Sequence, residues 1–97
     1  MTSRVEGVAP SRKVAIVTGA SSGIGRITSI ALCEAGWNVV LSARRVDALE
    51  ETARMCEEAA RAQSIQVTEL TLVVAGDVTK ESDVQRLFER SVTTYGL

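Results

Sequence analysis

The sequence contains no histidine, two cysteines and a single proline. Without histidine it lacks both a common nitrogen ligand for metals and the side chain that most often acts as a general base near neutral pH. Cys33 and Cys56 are too far apart for a C-x-x-C pair and fall in different predicted helices. We therefore assign no metal site, and we expect the two cysteines to be small buried or half-buried thiols without a disulfide.

Strong net charge and long apolar runs are also missing. The 11 Lys and Arg residues are almost balanced by 12 Asp and Glu residues, which leaves a net charge of −1 on 97 residues. This balance gives no electrostatic reason to expect a nucleic acid, and no run approaches the roughly 20 apolar residues that span a bilayer. The N-terminal residues also lack the apolar segment of a secretory signal. We expect one cytoplasmic domain with no nucleic acid partner and no membrane partner.

The most informative stretch is residues 14–25, VAIVTGASSGIG, where an apolar run breaks into glycines and serines and then resumes. The apolar run predicts a buried parallel strand, and the glycines permit a tight turn and the close approach of a ligand. Ser21 or Ser22 is expected to cap the following helix, whose free backbone N–H groups attract an anion. Glycines also occur in ordinary turns, but a strand before them and a helix after them favour a phosphate-binding loop. No Gly-Lys-Ser/Thr follows, which argues against a Walker-type ATP or GTP site.

Residues 18–25, TGASSGIG, match every fixed position of the pattern Thr-Gly-x-x-x-Gly-x-Gly. From residue 13 to residue 97 the chain resembles the N-terminal, cofactor-binding half of the short-chain dehydrogenase/reductase family, which carries this pattern. The resemblance implies hydride transfer between a nicotinamide cofactor and a carbonyl or alcohol substrate. It also implies a dinucleotide bound at six residues of the loop and helix start: Gly19, Ser21, Ser22, Gly23, Ile24 and Gly25.

The catalytic residues of that family have no match in this sequence. The resemblance stops before the family's Asn-Asn-Ala-Gly strand, its active-site Ser and its Tyr-x-x-x-Lys. The lone tyrosine, Tyr95, has no lysine four residues after it. We therefore assign no catalytic residue, and we expect Tyr95 to lie in the core or at its rim.

The residues after the second predicted strand bear on the choice of dinucleotide. In a dinucleotide-binding fold an acidic residue about 20 positions beyond the glycine loop accepts hydrogen bonds from the adenosine ribose, whereas an arginine accommodates a 2′-phosphate. Here Ala43 is followed by Arg44 and Arg45, and no acidic residue occurs from Val39 to Arg45. We predict NADP in preference to NAD, with Arg44 as the main contact and Arg45 as the second. The alternative is that both are solvated arginines at the start of a helix.

Asp77 and Val78 follow the third predicted strand, and two roles are open for them. The resemblance implies that this pair lies against the adenine ring of the cofactor. By its chemistry alone, Asp77 could equally serve only to stabilise a turn through its own side chain.

Apolar periodicity and turn residues predict three strands alternating with three helices. The strands are expected at 13–18, 38–42 and 67–75, and the helices at 23–35, 47–63 and 80–95. The long connections make right-handed crossovers, so the sheet should be parallel, in the order 3-2-1, with helices on both faces. The predicted fold class is therefore α/β, a three-layer Rossmann-type parallel sheet represented by its N-terminal β-α-β-α-β-α half.

Three details of the helices are also predicted. The first helix should bury apolar residues that recur every three or four positions, Ile24, Ile27, Ala31 and Ala35. The second helix should carry two exposed ion pairs spaced four residues apart, Glu50 with Arg54 and Glu57 with Arg61. Thr79 should cap the third helix.

Two regions are distinguished along the chain. We expect residues 1–11 to form a flexible N-terminal arm and residues 12–97 to form an NAD(P)-binding Rossmann domain truncated before its fourth strand. Two hypotheses follow: the chain is the NADP-binding portion of an oxidoreductase, or it is a non-catalytic truncated product that binds a nucleotide or a partner chain. Because the first strand would lie at an open edge of the sheet, we also expect self-association through that edge.

Overall fold

The computed structural model of the protein describes residues 12–96, so the predicted arm, residues 1–11, lies outside the described residues. In chain order the elements are β1 (Val14–Thr18), α1 (Gly23–Glu34), β2 (Asn38–Ala43), α2 (Val46–Ala62), β3 (Thr71–Ala75) and α3 (Glu81–Tyr95). This alternation of three strands and three helices confirms the predicted α/β class.

The three strands form one parallel sheet in the order β1-β2-β3, which confirms the predicted order 3-2-1. The central strand, β2, is the most buried, because Val39, Val40 and Leu41 are all inaccessible to solvent. Since side chains alternate along a strand, these neighbours point to opposite faces of the sheet. β2 therefore contributes to the core on both faces.

The helices cover the two faces of the sheet unequally. α1 and α2 pack on one face, and the buried residues of that larger core are Ala20, Cys33, Val39, Leu41, Leu49, Cys56, Ala60 and Leu70. On the other face, α3 places Leu87 against Val40 and Val74. Phe88 and Val92 of α3 stay 52% and 49% exposed. Among the described residues, one face is thus closely packed and the other is covered only in part.

The predicted apolar face of α1 is wrong. Ile24 and Ile27 are 83% and 68% exposed, whereas Ser29 and Cys33 are fully buried. Ala31 and Ala35 are exposed as well. The buried face of α1 is the one that contacts α2 and the sheet, and small side chains let these elements approach closely. Ser29 is accommodated because its hydroxyl donates a hydrogen bond of 2.7 Å to the Gly25 carbonyl one turn earlier.

The ion pairs predicted for α2 are also wrong, because the arginine contacts other glutamates. Arg54 pairs with Glu51 at 2.6 Å and with Glu58 at 2.7 Å, three residues before it and four residues after it. Neither Glu50 with Arg54 nor Glu57 with Arg61 forms a pair within the described residues. The long arginine side chain reaches carboxylates on both sides, so spacing alone did not identify which glutamates it contacts.

The segment around β3 departs from the prediction at both ends. β3 begins at Thr71, because Leu70 donates its N–H to the Val67 carbonyl at 3.0 Å and closes a turn in place of the expected strand start. After β3, helix α3 begins at Glu81 with Lys80 in the cap position. Thr79 does not cap the helix, since its hydroxyl donates to Asp77.

Cys33 and Cys56 are buried, as predicted, and both are free thiols. They face each other between α1 and α2, and a hydrogen bond with Cys56, together with burial, raises the pKa of the Cys33 thiol above its usual range. Cys33 is therefore a protonated core residue at neutral pH.

Some features are absent from the part of the chain that the structure describes. Between residues 12 and 96 no helix is both long and apolar enough to cross a bilayer, and no group of three or more His, Cys, Asp or Glu side chains could hold a metal ion. β1 has one neighbour in this sheet, which leaves its other edge open among the described residues. Self-association through that edge stays a prediction.

Candidate functional site

A cleft of about 360 Å³ lies at the carboxyl ends of the three strands. The loops that follow β1, β2 and β3 converge there because the strands are parallel. Its lining residues are Gly19, Ser21, Ala43, Arg44, Arg45, Gly76, Asp77, Val78 and Thr79. Six of the predicted site residues are in this set; Ala43 was noted only as the position without an acidic side chain, and Gly76 and Thr79 were missed. Their signal was their position beside Asp77 and Val78, directly after a buried strand.

Four predicted site residues do not line the cleft: Ser22, Gly23, Ile24 and Gly25. Ser22 occupies the cap position of α1 with extended backbone, but its hydroxyl makes no capping hydrogen bond. The first turn of α1 also carries no acidic residue, whereas the first turns of α2 and α3 do. The positive end of the α1 dipole is therefore not neutralised by a carboxylate of its own first turn.

The three glycines of the loop are required for two different reasons, backbone conformation and close packing. Gly19 and Gly23 adopt φ angles of 66° and 55°, in the left-handed region that side-chain-bearing residues rarely enter. Gly25 has an ordinary backbone, but a Cβ built on it would lie 2.0 Å from the Gly19 carbonyl oxygen. The start of α1 can thus pack against the loop only if residue 25 has no side chain.

The loop is also fixed to the neighbouring strand. Ala20 is fully buried, and its N–H donates a hydrogen bond of 3.1 Å to the Ser42 carbonyl in β2. This bond holds the middle of the glycine loop against the end of the strand that leads to Arg44 and Arg45. The two parts of the site are therefore connected through backbone.

The two arginines after β2 differ in how tightly they are held. Both side chains are 74% exposed. Arg45 donates a hydrogen bond of 2.8 Å to Asp47, which raises the pKa of Arg45 and lowers the pKa of Asp47. Arg44 is 3.7 Å from the nearer carboxylate oxygen of Asp77, beyond hydrogen-bond distance. Arg44 is thus the less restrained cation at the mouth of the cleft.

Asp77 forms a turn through its own side chain. One carboxylate oxygen accepts hydrogen bonds from the Thr79 N–H at 2.9 Å and from the Thr79 hydroxyl at 2.7 Å. These two bonds, with the nearby Arg44, hold the pKa of Asp77 below its usual range. The Asp77 N–H in turn donates to Asp83 at 2.8 Å. Asp77 therefore forms a turn, and its contact with adenine remains a prediction.

Tyr95 lies away from the cleft. Its hydroxyl donates a hydrogen bond of 2.8 Å to the carbonyl of Glu69, which precedes β3 and so marks the amino edge of the sheet. The side chain is half-buried, and burial raises its pKa to about 12. Tyr95 is a rim residue of the smaller core, as predicted.

Known proteins resemble the chain in sequence and in fold. Residues 13–97 match the family described as short chain dehydrogenase. An uncharacterized oxidoreductase of Listeria innocua is 42% identical over 85 residues, which make up 87% of this chain and 31% of that protein. The structure is also similar to two solved enzymes.

The first is the L-sorbose reductase of Gluconobacter frateurii, which was solved with NADPH and L-sorbose. The two structures match with a TM-score of 0.74 and 36% identity, over 89% of this chain and 30% of that enzyme's chain. The second is an alcohol dehydrogenase of the archaeon Thermococcus sibiricus, which was solved with 5-hydroxy-NADP. This match has a TM-score of 0.72 and 32% identity, over 89% of this chain and 34% of that enzyme's chain. The chain thus spans about a third of the length of these relatives. The sequence match over residues 13–97, the glycine pattern and the parallel sheet show that the chain belongs to the short-chain dehydrogenase/reductase family.

Proposed function

We propose that this chain is the NADP-binding portion of an oxidoreductase that transfers a hydride between a nicotinamide cofactor and a carbonyl or alcohol carbon. The observation that carries the proposal is the cleft at the carboxyl ends of the strands, which lies between a glycine loop and an arginine. Ligands of open α/β sheets bind at this edge. Family membership supplies the type of reaction.

The glycine loop supports binding of the pyrophosphate. The first turn of α1 has free backbone N–H groups and no acidic residue, so it favours an anion. Gly19 and Gly23, whose positive φ angles favour glycine, present no side chain to a ligand at the loop. Ser21 and Gly19, which line the cleft, would then lie beside the adenosine half of the cofactor.

The residues after β2 support NADP over NAD. Ala43 lines the cleft where an acidic residue would accept hydrogen bonds from the ribose, so no carboxylate at that position opposes a 2′-phosphate. Arg44 is exposed and only loosely paired with Asp77, which leaves its guanidinium free to turn toward a phosphate. Arg45 is held by Asp47 and would contribute less. Both enzymes described above were solved with NADP-type ligands.

The residues after β3 support a place for the adenine ring. Val78 is 52% exposed and lines the cleft next to Asp77. An exposed apolar side chain at the wall of a cleft gains stabilisation when an aromatic ring covers it. We infer that adenine packs on Val78, with the turn of Asp77 and Thr79 holding this wall in place.

Calorimetric titration of the 97-residue protein with NADP and with NAD tests the proposal. A charge-assisted hydrogen bond to a phosphate at a solvated site is worth roughly 1.5 kcal/mol, so NADP should bind about tenfold more tightly than NAD. ADP serves as the control, because it carries the adenosine and pyrophosphate but no 2′-phosphate.

Circular dichroism establishes that the titrated protein is folded. A folded protein that binds neither dinucleotide would contradict the proposal and favour the alternative, a non-catalytic product that binds a partner chain. If both dinucleotides bound with equal affinity, the chain would have a nucleotide site, but the assignment of that site to NADP would be overturned.

A further inference from the structure

Ala20, in the middle of the glycine loop, has both of its backbone polar groups fixed by later parts of the chain. Its N–H donates to the Ser42 carbonyl at 3.1 Å, and its carbonyl accepts a hydrogen bond of 2.9 Å from the hydroxyl of Thr52 in α2. Ala20 and Thr52 are both fully buried. A buried hydroxyl without a partner is unfavourable, so this one is held in a definite orientation by its contacts.

Arg26 determines where the single hydroxyl proton of Thr52 points. That proton has two acceptors within reach, the Ala20 carbonyl at 2.9 Å and the Ala48 carbonyl at 3.2 Å. Arg26 donates from Nη2 to the Ala48 carbonyl at 3.2 Å and from Nε to the Thr52 oxygen at 2.8 Å. The Ala48 carbonyl accepts from Arg26 and, as part of helix α2, also from the Thr52 N–H, so both of its lone pairs are used and the closer Ala20 carbonyl is left for the hydroxyl proton.

The orientation of the Ala20 carbonyl fixes the next N–H as well. In a trans peptide the C=O of one residue and the N–H of the following residue point in opposite directions. With the Ala20 carbonyl directed at α2, the N–H of Ser21 is directed away from α2. Ser21 lines the cleft, whereas the two side chains that hold the Ala20 carbonyl and its partner do not.

We propose that Thr52 and Arg26 are positioning residues that preset the Ser21 N–H as a hydrogen-bond donor to an oxygen of the bound dinucleotide. The proposal rests on the proposed function, because it concerns the same cleft. Thr52 and Arg26 act through Ala20 and need not touch the cofactor. Neither lines the cleft, and Thr52 is 32 residues from Ala20 and 26 residues from Arg26 in the sequence.

Substitution of Thr52 by valine tests the proposal, because valine keeps the shape of the side chain and removes the donor. Thr52→Val should weaken NADP and NAD alike by about fivefold, the effect of one misdirected hydrogen bond, and leave their ratio unchanged. Thr52→Ser, which restores the hydroxyl, should bind within about twofold of the parent protein. In nitrogen-15 NMR spectra, the shift of the Ser21 amide signal on addition of NADP should be large in the parent and small in Thr52→Val.

Two further variants separate positioning from general stability. Ser91→Ala removes another buried helix hydroxyl, one that donates to the Leu87 carbonyl at 2.7 Å on the opposite face of the sheet. It should lower the unfolding temperature without changing affinity. Arg26→Met removes both guanidinium donors and should weaken both dinucleotides by about twofold even if Thr52→Val does not fold.

The following results would overturn the positioning role of Thr52 and Arg26. If Thr52→Val is folded and binds as the parent does, or binds weakly while its Ser21 signal still shifts fully, the positioning role is overturned. If neither Thr52→Val nor Arg26→Met changes the affinity of a folded protein, the same conclusion holds. If the parent protein binds neither dinucleotide, the proposed function fails first and the positioning role fails with it.

Discussion

At the glycine-loop end of the cleft, the structure is held by buried backbone contacts, whereas at the arginine end it consists of side chains that are 74% exposed. Ala20 is anchored at 3.1 Å to Ser42 and at 2.9 Å to Thr52, while Arg44 approaches Asp77 only to 3.7 Å. The first end is therefore part of the fold, and the second consists of exposed side chains at its surface. Changes at the loop should affect both dinucleotides, and changes at the arginines should affect only their ratio.

The largest effect is expected from Gly25→Ala. The new methyl group would lie 2.0 Å from the Gly19 carbonyl oxygen, which is backbone and cannot move aside as a flexible side chain would. Overpacking of this kind costs about 1–3 kcal/mol or more, so the loop should be displaced. We expect affinity for NADP and NAD to fall together by about thirtyfold, which corresponds to about 2 kcal/mol in the middle of this range, with a lower unfolding temperature. Calorimetry and thermal unfolding measure the two effects.

Gly76→Ala is the matched control for that substitution. Gly76 lines the same cleft, but a Cβ there would lie 3.3 Å from its nearest neighbours, the Arg86 guanidinium and the Asp83 Cβ, so these atoms need to move far less than the Gly19 backbone would. It should reduce affinity by less than about threefold. If Gly25→Ala binds both dinucleotides as Gly76→Ala does, the close approach of loop and helix does not matter for binding.

A smaller effect is expected from Asp77→Asn at the arginine end. Asparagine keeps an oxygen for the N–H and hydroxyl of Thr79 but loses the charge that attracts Arg44. Exposed ion pairs contribute well under about 1 kcal/mol, so the affinity for NADP relative to NAD should rise by about twofold. Titration of both dinucleotides with parent and variant measures this ratio, and a lower ratio in the variant would contradict competition between Asp77 and the phosphate for Arg44.

The pH dependence of unfolding sharpens the same prediction. The folded protein holds the pKa of Asp77 below its usual range, so the carboxylate favours the folded state above the unfolded pKa of about 4. That contribution is lost as the pH falls from about 4 through the lower folded pKa. The parent should therefore lose more stability than Asp77→Asn in this acidic range. If the parent and Asp77→Asn lost equal stability between neutral and acidic pH, this prediction would be contradicted.

The fold was largely predictable from the sequence because its signals are local. The apolar run before Gly19 and the helical spacing after Gly23 identified β1 and α1, and the order of the strands followed from the long connections. Arg44, Arg45 and Asp77 were found because they directly follow buried strands. In a parallel sheet such positions meet at one edge, so sequence position alone places them together.

The errors arose where tertiary contacts outweigh local pattern. The exposed Ile24 and Ile27 formed the more hydrophobic stripe of α1, but the face that meets α2 carries small residues. Likewise, Thr79 looked like a helix cap, but its hydroxyl is bound by the carboxylate of Asp77. The contact of Thr52 with the glycine loop joins residues 32 positions apart, and no periodicity indicates it.

The claim that Arg44 determines the choice of dinucleotide is tested most directly by titrating NADP and NAD against the parent protein, Arg44→Ala, and Ala43→Asp combined with Arg44→Ala. Arg45→Ala is the control, because the contact of Arg45 with Asp47 at 2.8 Å already restrains that side chain. We predict that Arg44→Ala removes most of the roughly tenfold preference for NADP while changing NAD affinity by less than about twofold, and that the double variant prefers NAD. An NADP-to-NAD affinity ratio that stays unchanged in Arg44→Ala would show that Arg44 is only solvated surface and would contradict the account.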